Sequence, residues 1–243
     1  MDRRLGGAFE FFEPPRGRTL VLEVAPQLAS WDRAGARSQV RLARFLAHVD
    51  AQLRSAPSPE APVSFALEVM VSPTADLTEA GDLDNFVYPL ARLLGPDRIA
   101  SAWASKALGS GPSTFRLAAA RPASSDQRAG WASAWVHARG SATARAWKAQ
   151  IRDQVAAQCG GVAPDGPLEL EVAFRVGPRR SWATLWKPAI DALGPVLGIV
   201  TPRRPFHPRD GRIVRLGLHR SVVPDLGDDV QLAFRWRLAP APR

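Results

Sequence analysis

Apolar and polar residues along this chain follow two alternating periods, one typical of strands and the other of helices. Runs rich in apolar and β-branched residues predict strands at 18–25, 63–71, 113–120, 131–138, 168–176, 211–219 and 230–238. Apolar positions spaced three and four residues apart predict amphipathic helices at 38–54 and 142–158. Two shorter helices are predicted at 84–95 and 181–194, each with an internal proline and a terminal glycine. Pro89, early in the first of these, predicts a late start or a kink. Together these elements predict an α+β protein.

The order of strands and helices occurs twice, which indicates an internal duplication. Pro89 and Pro188 are 99 residues apart, as are Gly95 and Gly194. The same offset aligns the predicted strand STFRL with the predicted strand GRIVRL. We therefore expect two similar halves, residues 1–125 and 126–243, each a small mixed sheet with two helices. Packed together they would form a single-chain pseudo-dimer, and the chain could then be a monomer.

Composition excludes several protein classes. With 46% hydrophobic and 23% charged residues in 243, the chain can bury a core, so it is not disordered. No apolar run reaches the roughly 18–20 residues of a membrane span, and the first 15 residues lack the apolar segment of a signal peptide. A single cysteine, Cys159, excludes intrachain disulfides and cysteine-based zinc clusters. Nucleotide-binding and serine-hydrolase motifs are missing. We expect a soluble cytoplasmic protein with no membrane partner.

Charge is distributed unevenly between the two halves. The formal net charge is +9, and all of it lies in residues 121–243, which hold 19 basic and 10 acidic side chains. Residues 1–120 hold 13 of each. Only three of the 32 basic residues are lysines, namely Lys106, Lys148 and Lys187. A basic surface attracts phosphates, but a solvated arginine-rich face and a bias in genome composition explain the charge equally well.

Two segments of the second half interleave basic residues with aromatic ones, as nucleic-acid-binding surfaces do. They are RSWATLWKP and RRPFHPRDGR, and the second should be an exposed loop because it contains two prolines. The candidate nucleic-acid-binding residues are Arg179, Arg180, Lys187, Arg203, Arg204, Arg209 and Arg212. Trp182 and Trp186 could stack on bases, but their spacing of four also suits a helix packed into a core. We favour the core for at least one of them.

A pair of aspartates precedes the predicted helix at 84–95, in the segment GDLDN. In extended backbone Asp82 and Asp84 point the same way, and their carboxylates repel unless a cation lies between them. A hard divalent ion such as Mg²⁺ fits such oxygen ligands and could activate water against a phosphodiester. The alternative is helix capping by Asp84 or Asn85. The two roles are compatible.

The succession of strand, D-x-D-N, short amphipathic helix and strand with a leading acid resembles the RusA-type Holliday junction resolvases. These are homodimeric, Mg²⁺-dependent DNA endonucleases of recombination and repair. Asp82, Asp84 and Asn85 match the D-x-D-N segment. In the second half, Lys187 matches the family's lysine, Asp191 its helix aspartate and Asp210 its trailing acid. The resemblance implies a branched-DNA partner, Mg²⁺ held by Asp82 and Asp84, and catalysis by Asp82, Asp84, Asp210 and Lys187.

Neither half carries the complete set of family residues. The second half replaces the D-x-D-N positions with Ser181, Ala183 and Thr184, and the first half has Tyr88, Arg92 and Gly111 at the other three. One interpretation is that the halves have specialised, with carboxylates in one and DNA-binding cations in the other. We then expect a RusA-like nucleic-acid-binding protein with a reduced or split endonuclease site. The other interpretation is a non-catalytic scaffold for protein interaction or assembly.

Overall fold

A computed structural model of the chain describes residues 8–29, 32–33, 35–55, 59–124 and 130–240. The strands are β1 (Thr19–Val21), β2 (Val63–Val71), β3 (Ile99–Leu108), β4 (Thr114–Ala119), β5 (Ala132–Ala138), β6 (Leu168–Val176), β7 (Ile213–Val222) and β8 (Val230–Leu238). The α-helices are α1 (Arg37–Arg54), α2 (Leu83–Leu94), α3 (Arg145–Ala156), α4 (Trp186–Asp191) and α5 (Gly194–Leu197). Short 3₁₀ turns at Pro96–Arg98 and Asp210–Arg212 lead into β3 and β7. The predicted α+β class is confirmed.

The described strands form one mixed sheet in the order β1-β4-β2-β3-β7-β6-β8-β5. β2 is parallel to β3, and β6 is parallel to β7. All other neighbours are antiparallel, including β3 and β7 at the centre, where Ser101 lies opposite His219. We expected a separate small sheet in each half, whereas the β3–β7 pairing joins all eight strands into a single sheet.

β3 was not predicted from the sequence. Its residues, IASAWASKAL, are mostly alanine and serine, which lack the bulk and branching typical of strands. Their small side chains suit a central strand buried on both faces. Because β3 is the strand that follows α2, the alignment of STFRL with GRIVRL is wrong. STFRL lies in β4, which pairs antiparallel with β2, whereas GRIVRL lies in β7, which pairs parallel with β6. The counterpart of β7 is therefore β3, and the counterpart of the turn Asp210–Arg212 is the turn Pro96–Arg98, not Gly111.

α2 tolerates its internal proline because a loop satisfies the carbonyl that the proline leaves without an amide partner. Pro89 cannot donate to the carbonyl of Asn85, four residues before it. The amide of Ala29 donates to that oxygen instead, at 2.7 Å. The helix therefore begins at Leu83, before the predicted boundary, rather than starting late.

The core lies between the helices and one face of the sheet. β6 shows the two faces clearly, since Leu170, Val172 and Phe174 join the main apolar cluster while the intervening Glu169 and Glu171 are buried on the opposite face. On that opposite face Phe11 packs against alanines of β6 and β8. In the part of the chain that the structure describes, no helix has the length and apolar character needed to cross a bilayer.

Candidate active site

Four aspartates and one lysine from distant parts of the chain meet beside the first turn of α2. Asp82 and Asp84 come from the start of α2, Lys187 and Asp191 from α4, and Asp210 from the turn before β7. The Lys187 Nζ lies 2.6 Å from Asp210 Oδ2, 3.3 Å from Asp82 Oδ2 and 3.5 Å from Asp191 Oδ1. Asp84 lies close enough to Lys187, Asp82 and Asp210 to be influenced by their charges. All four residues predicted to be catalytic are thus brought together, and we call Asp82, Asp84, Asp191 and Asp210 the aspartate cluster.

Helix capping does not account for the paired aspartates. The N-cap position of α2 is Asp82, not Asp84 or Asn85, and the Asp82 side chain makes no capping hydrogen bond. Its Oδ2 instead accepts hydrogen bonds from Lys187 Nζ and, at 3.3 Å, from Asn85 Nδ2. Asp84 lies in the first turn, where the positive end of the helix favours a carboxylate, but the side chain is only 4% exposed. Both carboxylates are therefore directed into the cluster.

Burial governs the protonation of the cluster. It raises the pKa of Asp84 to about 7, and the charges of Asp82, Asp210 and Asp191 add to the effect while Lys187 opposes it. Burial also raises the pKa of Asp210, against the opposing effect of Lys187. For Lys187 burial acts to lower the pKa, but the neighbouring aspartates outweigh it and the pKa is raised. The ammonium therefore stays charged, whereas Asp84 exchanges its proton near neutral pH.

The chain's other two lysines also contact this region. Lys148 Nζ lies 3.4 Å from Asp191 Oδ2. Lys106 Nζ donates to the Gly211 carbonyl at 2.9 Å, next to Asp210. Burial lowers the pKa of Lys106 to about 8, while Asp82, Asp210 and Asp76 act in the opposite direction. A compact ammonium with three donors fits between closely spaced carboxylates better than a planar guanidinium does, which accounts for lysines at this place in an arginine-rich chain.

The cluster suits Mg²⁺ in ligand type but not in its present arrangement. Carboxylate oxygens are the donors that Mg²⁺ prefers, and Asp82 and Asp84 were the predicted ligands. The position between Asp82 and Asp210, however, is taken by Lys187 Nζ. Among the described residues no three His, Cys, Asp or Glu side chains are arranged to hold a metal ion. A divalent ion would therefore have to compete with the Lys187 ammonium.

A cavity of about 400 Å³ opens beside the cluster, between α2 and α4. Asp84 and Tyr88 line one side, and Trp186 and Lys187 line the other. Trp182 and Trp186 are both buried, with ring centroids 4.7 Å apart in an edge-to-face arrangement. The prediction that at least one of them belongs to the core is confirmed, and neither is exposed for stacking on a base.

The predicted nucleic-acid-binding arginines differ in their availability. Arg179, Arg203 and Arg204 are exposed. Arg180 donates to the Gly140 carbonyl at 2.8 Å, and Arg209 pairs with Asp165 at 3.0 Å.

Arg212 is turned into the protein and is only 3% exposed. Its guanidinium donates to the carbonyls of Gly166 at 3.0 Å and Leu197 at 3.1 Å, and also to that of Pro164. These hydrogen bonds hold neighbouring loops together and keep the guanidinium away from solvent. The prediction that Arg212 binds phosphate is therefore wrong.

Sequence reasoning missed Lys106 and Lys148 as members of the site. The available signal was the rarity of lysine, since the other 29 basic residues are arginine. Asp191 was recognised only through the family resemblance, yet it contacts both Lys148 and Lys187.

Comparison with known protein families and curated proteins identifies no relative of this chain. No protein-family model matches the sequence, and a search of curated proteins returns no significant match.

Proposed function

We propose that this chain is a cytoplasmic, RusA-like nucleic-acid-binding protein whose aspartate cluster is a single, reduced Mg²⁺-dependent site for cleaving branched DNA. The observation that carries the proposal is the contact of one ammonium, Lys187 Nζ, with both Asp82 and Asp210. The sequence separations are 105 and 23 residues, so chance proximity along the chain does not explain the contact. Carboxylates that converge on a divalent metal ion are typical of metal-dependent phosphodiesterases, and in this chain the carboxylates converge on an ammonium.

The proposal includes a single-chain pseudo-dimer of residues 1–125 and 126–243. Support comes from the order of strand pairings, which runs outward from β3 as β2, β4, β1 and outward from β7 as β6, β8, β5. Both parallel pairs also have a register shift at their first residue, between Val63 and Ser64 and between Leu168 and Glu169. An antiparallel contact at the centre is what a two-fold relationship between the halves produces. On this proposal the protein is a monomer with one site.

Asp82 and Asp84 would hold the ion, with Asp210 facing them. The ion would supply charge stabilisation to a phosphodiester and lower the pKa of its bound water. Asp84 must be ionised to serve as a ligand, so metal affinity should increase as the pH rises through about 7. Lys187 would have to give up its contact with Asp82 to the ion.

The test is cleavage of a four-way DNA junction and of a linear duplex of the same sequence by the full chain, with Mg²⁺ or with a chelator. We expect junction cleavage only with Mg²⁺, and we expect Asp84→Asn to abolish it while DNA binding stays nearly intact. The matched control is Asp97→Asn, because the Asp97 side chain is 88% exposed and pairs with Arg220 away from the cluster. Cleavage that persists in Asp84→Asn would overturn the proposed site.

A non-catalytic scaffold is the second candidate, and one observation favours it. The charges of the aspartates are already balanced in part by Lys187 and Lys148, so the cluster is satisfied without a metal. A scaffold would show neither junction cleavage nor DNA affinity at low salt. Salt-dependent DNA binding without cleavage would instead identify a binding protein that has lost the reaction.

A further inference from the structure

A cationic surface lies on α3, and its residues were not among the predicted nucleic-acid ligands. The loop that packs on it does carry two predicted ligands, Arg203 and Arg204. Arg145, Lys148 and Arg152 are spaced three and four residues apart, so they share one side of the helix. All three surround the ring of Phe206, at 5.8, 5.2 and 5.4 Å from its centroid. We call Arg145, Lys148 and Arg152 the α3 basic face.

The aromatic ring explains how three like charges are held so close together. The electron-rich face of an aromatic ring attracts cations, and Phe206 is therefore engaged by protein side chains. Arg152 also pairs with Asp153 at 2.7 Å. Arg145 is exposed, and among the described residues no carboxylate lies within 4.0 Å of it. Three cations thus face two carboxylates, Asp153 and Asp191, so the surface keeps a positive excess, and Arg145 is its exposed member.

The α3 basic face adjoins the aspartate cluster. Lys148 contacts Asp191, and Asp191 contacts Lys187, which forms a continuous chain of charges from one to the other. Arg203 and Arg204 are exposed, and they shortly precede Phe206 in the loop that packs on this surface. A polyanion that bound these cations would lie with its backbone leading toward the aspartates.

We propose that the α3 basic face, together with Arg203 and Arg204, binds the phosphate backbone of a nucleic-acid duplex and guides it to the aspartate cluster. The inference rests on the proposed function. Guanidinium groups match phosphate oxygens in two-pronged geometry, and duplex DNA carries one charge per about 1.7 Å of its axis. The aspartates repel such a polyanion, so the neighbouring cations are needed to hold it near them.

The test compares two double variants that remove the same charge. Arg145→Ala/Arg152→Ala removes the two arginines of the α3 basic face and leaves Lys148, and Arg41→Ala/Arg44→Ala removes two exposed arginines of α1. Binding of a fluorescent four-way junction is measured by anisotropy between about 50 and 300 mM salt. We expect the α3 variant to lose affinity about tenfold at the lowest salt, and the slope of log K against log salt to become shallower by about 2. The α1 variant should keep the slope.

A variant that keeps both positive charges distinguishes the loss of charge from damage to the fold. Arg145→Lys/Arg152→Lys should keep most of the slope, because the count of charges facing the phosphates is unchanged. If the wild-type chain binds no DNA, the proposed function falls. If it binds DNA and the α3 variant binds equally well with the same slope, this inference falls and the proposed function stands. Polyglutamate that competes as well as DNA at equal charge would overturn the nucleic-acid assignment in favour of an acidic protein partner.

Discussion

Lys187 Nζ and Asp210 Oδ2 lie 2.6 Å apart and join the start of α4 to the turn that leads into β7. The same ammonium is within 3.3 Å of Asp82, at the start of α2. One lysine therefore holds three segments of the chain together, at the position that the proposed function gives to a Mg²⁺ ion. If the proposed function holds, Mg²⁺ and the Lys187 ammonium compete for the same carboxylates, and that competition can be measured.

Lys187→Met should destabilise the protein and make it respond to Mg²⁺. Removal of the ammonium leaves Asp82, Asp191 and Asp210 facing one another, which should cost about 1–2 kcal/mol, below the value for a fully buried pair because the Lys187 side chain is 41% exposed. A tenfold excess of Mg²⁺ over its Kd would restore about 1.4 kcal/mol. In thermal melts, 10 mM Mg²⁺ should then raise the Tm of the variant about 3 °C more than that of the wild type.

Lys148→Met is the matched control for this experiment. Of the four aspartates of the cluster, Lys148 pairs only with Asp191, so this variant leaves the Lys187 ammonium in place. An identical Mg²⁺ response in the two methionine variants would show that Lys187 does not occupy the metal position.

Asp84→Asn should flatten the dependence of stability on pH. Burial raises the folded-state pKa to about 7 from the ordinary 3.8 of an aspartate, so between about pH 4 and 7 the folded protein holds a proton that the unfolded chain has lost. Stability from this group is therefore present below pH 4 and lost as the pH rises through 7, by up to about 4 kcal/mol. Urea unfolding at pH 4.5, 6 and 8 should show a shallower decline for the variant than for the wild type. A residual decline remains because the pKa of Asp210 is also raised. Parallel curves for the two proteins would contradict the burial of an ionisable Asp84.

Lys106 should titrate near pH 8, well below an ordinary lysine. The chain has only three lysines, so ¹³C-labelled lysine yields three sets of side-chain signals in NMR spectra. One of them should move with a midpoint of about 8 and disappear in Lys106→Arg. Because the unfolded chain binds this proton more tightly, the contribution of Lys106 to stability rises from about pH 8 to 10.5. Three midpoints above 10 would show that Lys106 is not buried beside Gly211.

Gly211→Ala should displace the turn that carries Asp210. A Cβ at this position would lie 2.2 Å from the Thr78 carbonyl oxygen, in the 3₁₀ turn Leu77–Glu79 of the first half. Backbone atoms cannot move aside cheaply, so we expect a loss of about 1–3 kcal/mol and a Tm lower by several degrees. Gly111→Ala is the control, since no described residue other than its chain neighbours lies within 4 Å of the added Cβ. Equal melting temperatures for the two variants would mean that the Gly211 turn and Thr78 are not packed against each other.

Elements with a strong local pattern were predicted closely. The strands at 63–71 and 168–176 have the predicted bounds, and α1 begins one residue before its predicted start. These segments combine a regular period with bulky or β-branched residues, so their local preference agrees with their place in the fold. β3 lacks such a pattern, and its strand conformation follows from pairing with β2 and β7 on either side.

The candidate site was predicted in part. Two aspartates before a helix were visible as a motif, and the family resemblance indicated Lys187, Asp191 and Asp210. The participation of Lys106 and Lys148 was missed, because their only signal was the rarity of lysine, and the local pattern of the strand or helix that carries each of them does not point to the cluster. Likewise, a count of arginines could not separate Arg212, which donates to internal carbonyls, from Arg204, which is exposed.

By itself the sequence determined the α+β class, most of the strands and helices, the amphipathic helix faces and the placement of the whole positive excess in residues 121–243. These properties follow from neighbouring residues, through backbone preference and the spacing of apolar side chains. Tertiary structure alone decided that the eight described strands form one sheet, which arginines remain exposed, and that Lys187 lies between Asp82 and Asp210. Such contacts depend on the pairing of β3 with β7, which brings together residues more than a hundred positions apart, and on burial, which shifts the pKa values of the groups gathered there.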